Sequence, residues 1–142
     1  MSGKVLTFYL DGALFGLDIH TVKEIQRNVE CTPIPDSPLH IVGLFNMRGQ
    51  VVTLLNLARL LKIGGISEQE RFVCIVLKPR AGMTDLIGFP IDRPGAVVDI
   101  DPDSAEQPPA NMDGDLTRFV KEVVKLQNEL LMVLDPDVIY QM

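Results

Sequence analysis

The sequence predicts an all-β fold made of two similar β-rich lobes, and three features predict it. Valine, isoleucine and threonine recur in short apolar runs broken by Gly, Pro and Asp, which favours strands of about five to eight residues. Two strand pairs recur in the same order in both halves of the chain. Only two short stretches keep a helical period.

In chain order the expected strands are Val5 to Leu10, Leu14 to Ile19, Ile41 to Phe45, Val51 to Leu55 and Phe72 to Leu77. Leu86 to Ile91, Ala96 to Ile100, Phe119 to Leu126 and Leu130 to Leu134 follow. A short helix is expected over His20 to Ile25, where Val22 and Ile25 stand three apart, and another over Leu57 to Lys62. Asp101 to Gly114 is acidic, holds Pro102, Pro108 and Pro109, and has little to bury. It reads as a surface loop, either a contact element or a plain connector.

Asn46-Met47-Arg48-Gly49 separates two of these strands and reads as a tight corner. Buried strands rarely need a cation at their mouth, so Arg48 directs attention to a partner rather than to packing.

At an offset of 72, Leu14-Phe15-Gly16-Leu17-Asp18-Ile19 lies on Leu86-Ile87-Gly88-Phe89-Pro90-Ile91. At an offset of 79, Gln50 to Asn56 lies on Glu129 to Asp135. That spacing is too long for a solenoid and suits two lobes of one domain, with a boundary near Gly64-Gly65-Ile66-Ser67 and terminal strands free to cross between the lobes. Two buried strands can also look alike without any duplication. The same offset sets Lys125-Leu126-Gln127-Asn128 opposite the corner, and it contains no arginine.

With 142 residues and 46% hydrophobic content, the chain can bury one sizeable core or two small ones. Its 13 basic against 19 acidic residues argue against phosphate-backbone binding, so no nucleic-acid partner is expected. Cys31 and Cys74 form no CxxC and read as free thiols. Asp11 interrupts any N-terminal apolar stretch, and no run approaches the roughly 20 apolar residues that span a bilayer. A soluble, cytoplasmic protein without membrane insertion is expected.

Catalytic chemistry has little to work with. His20 and His40 are the two neutral-pH bases, and neither belongs to a nucleophile motif. Cys31 with His40 would need the fold to bring them together. Asp99, Asp101 and Asp103 resemble a calcium loop, but Ser104 stands where the turn needs glycine and Ala110 where it needs glutamate. No phosphate cradle is present. No cofactor, metal or catalytic residue is expected, and such a domain acts by its surface.

The order and spacing of several segments resemble the CheW family, the adaptors of bacterial chemotaxis arrays. They include Phe8 to Leu10, Leu14 to Ile19, Val22-Lys23-Glu24-Ile25, Thr32-Pro33-Ile34-Pro35, Pro38 to Gly43 and Asn46-Met47-Arg48-Gly49. Ile87 to Arg93 and Leu130 to Asp135 continue the match, so it runs essentially end to end. The resemblance implies two packed five-stranded, SH3-like β-barrels with one or two short helices. It also implies a function: a non-catalytic scaffold joining methyl-accepting chemoreceptor tips to the regulatory domain of a chemotaxis (CheA-like) histidine kinase, recruited to membrane-associated arrays. A stand-alone adaptor fits better than a piece of the kinase. The alternative within the family is a competing or inhibitory regulator in a non-motility pathway.

By the resemblance, receptor contacts fall on Ile19, Val22, Glu24, Gly43, Asn46, Arg48 and Val97, and kinase contacts on Val73, Glu106 and Asn111. Several have a structural alternative. Ile19 and Val97 could be core residues, and Arg48 could serve a salt bridge. The chain also departs from the family pattern. Glu106 and Asn111 replace a basic and an aromatic residue, Thr53 a proline, Asn56 an aspartate and Pro94 a groove aliphatic, while Glu122 stands where the repeat mate of Gly43 belongs.

Overall fold

The computed structural model describes residues 3–63, 71–109, 112 and 114–142. Its strands are β1 (Lys4–Leu10), β2 (Ala13–Asp18), β3 (Val22–Val29), β4 (Ile41–Met47), β5 (Gln50–Leu55) and β6 (Phe72–Leu77). They continue as β7 (Leu86–Ile91), β8 (Arg93–Asp99), β9 (Ala105–Glu106), β10 (Val120–Lys125) and β11 (Leu130–Leu134). Three short helices, α1 (Leu57–Leu60), α2 (Gly114–Phe119) and α3 (Pro136–Tyr140), complete the fold.

The strands form a six-stranded sheet, β8-β1-β2-β11-β10-β9, and a five-stranded sheet, β3-β6-β7-β5-β4. Each sheet therefore takes one hairpin from the other half of the chain: β1–β2 join β8 to β11, and β6–β7 join β3 to β5. The chain changes sheet at the 3-10 turn Ile19–Thr21 and again at Asp92. Gly64-Gly65-Ile66-Ser67 lies outside the described residues, and its flanking strands β5 and β6 share the five-stranded sheet.

The duplication is present in the register. Val52, Thr53 and Leu54 of β5 pair in parallel with Leu86, Ile87 and Gly88 of β7. Leu131, Met132 and Val133 of β11 pair in parallel with Leu14, Phe15 and Gly16 of β2. These are the residues that the two sequence offsets align. Helix starts obey the same offset: Asn56 caps α1 by accepting from the Arg59 amide, and Asp135 caps α3 by accepting from the Asp137 amide. Chance likeness between buried strands would not reproduce register and caps together.

Each sheet closes on itself by a matching device. In the five-stranded sheet, Thr32 and Leu44 exchange backbone hydrogen bonds of 2.8 and 2.9 Å. In the other, β9 sets Glu106 opposite Val123, the repeat mate of Leu44, and so adds a sixth strand to the five expected.

Side-chain alternation then builds three cores. Val52 and Leu54 face the inside of the five-stranded barrel, with Met47, Cys74 and Val76. Leu131 and Val133 do the same in the six-stranded barrel, with Val5 and Val124. Leu55 and its mate Leu134 turn instead to the largest core, which draws on both sheets and on α1 and α3. Phe8 is its hub, with ring centroids 6.2 Å from Phe15 and 5.4 Å from Phe89. Burying each such ring stabilises the join by about 1.5–3 kcal/mol.

Several elements differ from expectation. The helix expected over His20 to Ile25 is a single 3-10 turn followed by β3. Register shifts between Val22 and Glu24, and again between Gln26 and Val29, break the two-residue alternation of β3 and leave Val22 and Ile25 at helix-like spacing. Phe119 ends α2 instead of opening a strand, and α3 was not anticipated. β8 begins at Arg93 and includes Pro94, which its place at a sheet edge beside a bulge permits. Among the described residues, no helix is long and apolar enough to cross a membrane. Nor does any cluster of His, Cys, Asp and Glu there suit a metal ion.

Candidate protein-interaction site

The β4–β5 corner is a two-residue hairpin turn. Arg48 and Gly49 have φ of 52° and 87°, the doubly left-handed geometry that matches strand twist. Asn46 fastens the turn, its Oδ1 accepting from the Gly49 amide at 2.9 Å. Arg48 is thereby projected outward, its side chain 64% exposed.

A guanidinium nitrogen of Arg48 donates to Oε2 of Glu24 at 2.5 Å. Glu24 sits on β3 and Arg48 at the end of β4, the two outer strands of the five-stranded sheet. The other carboxylate oxygen of Glu24 accepts from the Gln26 side chain. The hydrogen bond from Arg48 holds the Glu24 carboxyl below its ordinary pKa, and Glu24 in turn raises that of Arg48. Both groups are charged at neutral pH. An exposed pair of this kind contributes little to stability, about 0–1 kcal/mol.

Gly43 lies buried on β4, the strand that leads into this corner. A Cβ there would overlap the Thr32 carbonyl oxygen and come 2.5 Å from the Cys31 sulfur. Its close backbone approach is thus to its own chain, at the point where the barrel closes. Burial pushes the Cys31 thiol up, and burial beside Cys31 pushes Cys74 up to about 12, opposite to what a nucleophilic thiolate needs.

The remaining expected contacts are spread more widely. Ile19 is half-buried in the 3-10 turn, while Val22 packs against the shared core. Val97 is 49% exposed on β8, an edge of the other sheet, so it is a surface residue and not a core one. Val73 is half-buried on β6 opposite Ile91, and Glu106 lies on β9, 3.9 Å from Lys125. Asn111 lies outside the described residues. The fold thus unites Glu24, Asn46 and Arg48, sets Gly43 against Thr32 and Cys31 instead, and leaves Val97 and Glu106 on the second sheet.

Two departures acquire a structural role. Asn56 replaces a charged partner with a neutral cap, accepting from the Arg59 amide at 3.1 Å. Glu122 occupies a bulge equivalent to that of Gly43 and lines a cavity of about 290 Å³ with Lys4, Asp18 and Lys121.

Other polar clusters gave no sequence signal because their members are far apart. Arg80 lies 4.0 Å from the centre of the Tyr140 ring and pairs with Asp137, pinning α3 to the segment after β6. Arg93 lies 3.9 Å over the Tyr9 ring, whose hydroxyl donates to Glu129 and is shifted up by that bond. A cleft between α1 and α2, lined by Arg59, Lys62 and Arg118, is assembled in the same way from distant residues.

Comparison with known proteins places this architecture. A family model described as a CheW-like domain matches residues 4–142. Chemotaxis protein CheW of Treponema pallidum is 27% identical over 136 residues, covering 93% of this chain and 78% of that protein. Chemotaxis protein CheW of Thermotoga maritima is 27% identical over 138 residues, covering 97% and 87%. The crystal structure of the scaffolding protein TtCheW from Thermoanaerobacter tengcongensis superposes with a TM-score of 0.79 at 28% identity, covering 95% of this chain and 90% of that one. With its two closed sheets, its in-register duplication and a family match across nearly its whole length, the chain belongs to the CheW-like domain family.

Proposed function

We propose that this protein is a non-catalytic chemotaxis scaffold that couples chemoreceptor tips to the regulatory domain of a CheA-like histidine kinase. The observation that carries this reading is the Arg48 corner. Arg48 fills a left-handed turn position that Asn or Gly would occupy with less strain, and its repeat mate is Gln127. The turn therefore does not call for arginine. An outward cation held in register by Glu24 suits recognition of a charged helical partner, where complementary charge fixes orientation and specificity.

In this reading Glu24, Asn46 and Arg48 meet the receptor, and Ile19, Val22 and Val97 give apolar contacts. Gly43 acts through the backbone it positions. Val73 and the segment from Glu106 to Asn111 face the kinase. The protein works beneath the membrane, at receptor arrays, without entering the bilayer.

Co-sedimentation with receptor-bearing membranes and kinase tests the proposal. Capture by both partners together with a rise in kinase autophosphorylation is expected, and failure to bind either would sink it. A competing regulator would bind both and leave autophosphorylation unchanged or lowered.

A further inference from the structure

On a chain of net charge −6, two clefts carry an excess of basic side chains: one at the Arg48 corner, where Arg27 and Arg71 join it against Glu30, and a second away from that corner. The second lies between α1 and α2 and has a volume of about 290 Å³. Arg59, Lys62 and Arg118 line it against a single carboxylate, Asp115. Lys62 reaches Asp115 at 3.2 Å. Arg59 and Arg118 have no carboxylate partner among the described residues, and the Arg118 guanidinium lies 5.5 Å from the Phe119 ring.

An apolar element sits on the same rim. Leu39 is 74% exposed, more than any other large hydrophobic side chain among the described residues. It is held beside α1 because the Asn56 amide donates to the neighbouring His40 carbonyl at 2.7 Å. The cap that Asn56 supplies to the Arg59 amide fixes α1 on the same side.

The fold does not demand these cations. At the repeat offset of 79, Arg59 corresponds to Val138 of α3 and Lys62 to Gln141. The equivalent helix is built without positive charge.

We infer that the α1–α2 cleft is a docking site for an acidic, leucine-bearing segment of a partner protein. Carboxylates of the segment would neutralise Arg59 and Arg118, and its apolar side chain would cover Leu39 and Leu60. A small inorganic anion could use the cations but not the exposed leucine. The open, shallow shape suits a short segment engaged weakly, with electrostatic attraction governing capture. This inference is independent of the Arg48 corner and of the receptor and kinase assignment.

The test titrates the full chain into a fluorescein-labelled peptide, Asp-Glu-Leu-Glu-Asp-Leu-Glu-Asp, and into its counterpart with every acid replaced by lysine. Polarisation should show at least about tenfold preference for the acidic peptide, weakening as salt rises. Arg59→Glu with Arg118→Glu should lower affinity at least about tenfold, and Leu39→Ser several-fold. Amide shifts on binding should centre on Leu39, Leu60 and Arg118. If the double variant does not fold, Leu39→Ser and the shift map decide. Equal binding of the lysine peptide, unchanged affinity in Leu39→Ser, or full displacement of the peptide by millimolar phosphate would overturn the inference.

Discussion

Arg48 and Glu24 meet at 2.5 Å across the two outer strands of the five-stranded sheet. Both belong to the surface that the family resemblance assigns to the receptor, and each fixes the other's orientation. The pair is thus at once a clasp between strand edges and a presented charge pattern. Because the Arg48 side chain is 64% exposed, the clasp is weak and the pattern accessible.

Reversing the charge separates these roles. Arg48→Glu sets two carboxylates together, so unfolding stability should fall by no more than about 1 kcal/mol while receptor binding drops sharply. Exchanging both residues, Glu24→Arg with Arg48→Glu, should recover the stability and not the binding. Chemical denaturation and co-sedimentation with receptor membranes measure the two effects. Recovery of binding in the exchanged variant would reduce Arg48 to a structural role.

Glu24 should reveal the pair through pH. Its pKa is lowered in the folded state, so its contribution is fully present above the ordinary glutamate range and is lost as pH falls through the lower folded value. Carbon-detected NMR titration should place the Glu24 carboxyl below the ordinary glutamate value, and Arg48→Ala should raise it. A Glu24 titration indifferent to Arg48→Ala would refute the pairing in solution.

Gly43→Ala should act on the barrel before it acts on any partner. The added methyl meets the Thr32 carbonyl and the Cys31 sulfur, and backbone on one side cannot give way cheaply. A loss of about 1–3 kcal/mol is expected, read by urea unfolding. Wild-type stability with reduced receptor binding would instead make Gly43 a direct contact.

Thiol chemistry should be slow. Burial raises the pKa of both cysteines, Cys74 to about 12, so little thiolate exists near neutral pH. Iodoacetamide should label neither at an appreciable rate until the chain unfolds, and Cys31→Ser should leave coupling intact. Rapid labelling of native Cys31, or loss of coupling in that variant, would reopen a chemical role for it.

What could be read from the residues alone follows from the range over which each signal acts. Strands such as β5 and β11 were legible because a short apolar run bounded by polar or turn residues is a local signal, and because each appears twice. β3 was hidden by its two bulges, which shift the side-chain alternation. Of the exchange of hairpins between sheets, only a crossing of terminal strands could be expected, since pairing partners such as Leu14 and Leu131 stand far apart in the chain. At the site, Arg48 stood out as a cation at a strand mouth, while its bond to Glu24 depends on closure of the sheet through Thr32 and Leu44. The α1–α2 cleft, assembled from Leu39, Arg59 and Arg118, left no trace in local pattern.

The most direct measurement is kinase autophosphorylation in receptor-containing membranes, with and without this protein and with its Arg48→Glu form. A scaffold that couples through this corner predicts strong stimulation by the wild type, and little by the variant although its melting transition falls by no more than a few degrees. No stimulation by the wild type, or equal stimulation by the variant, would contradict it.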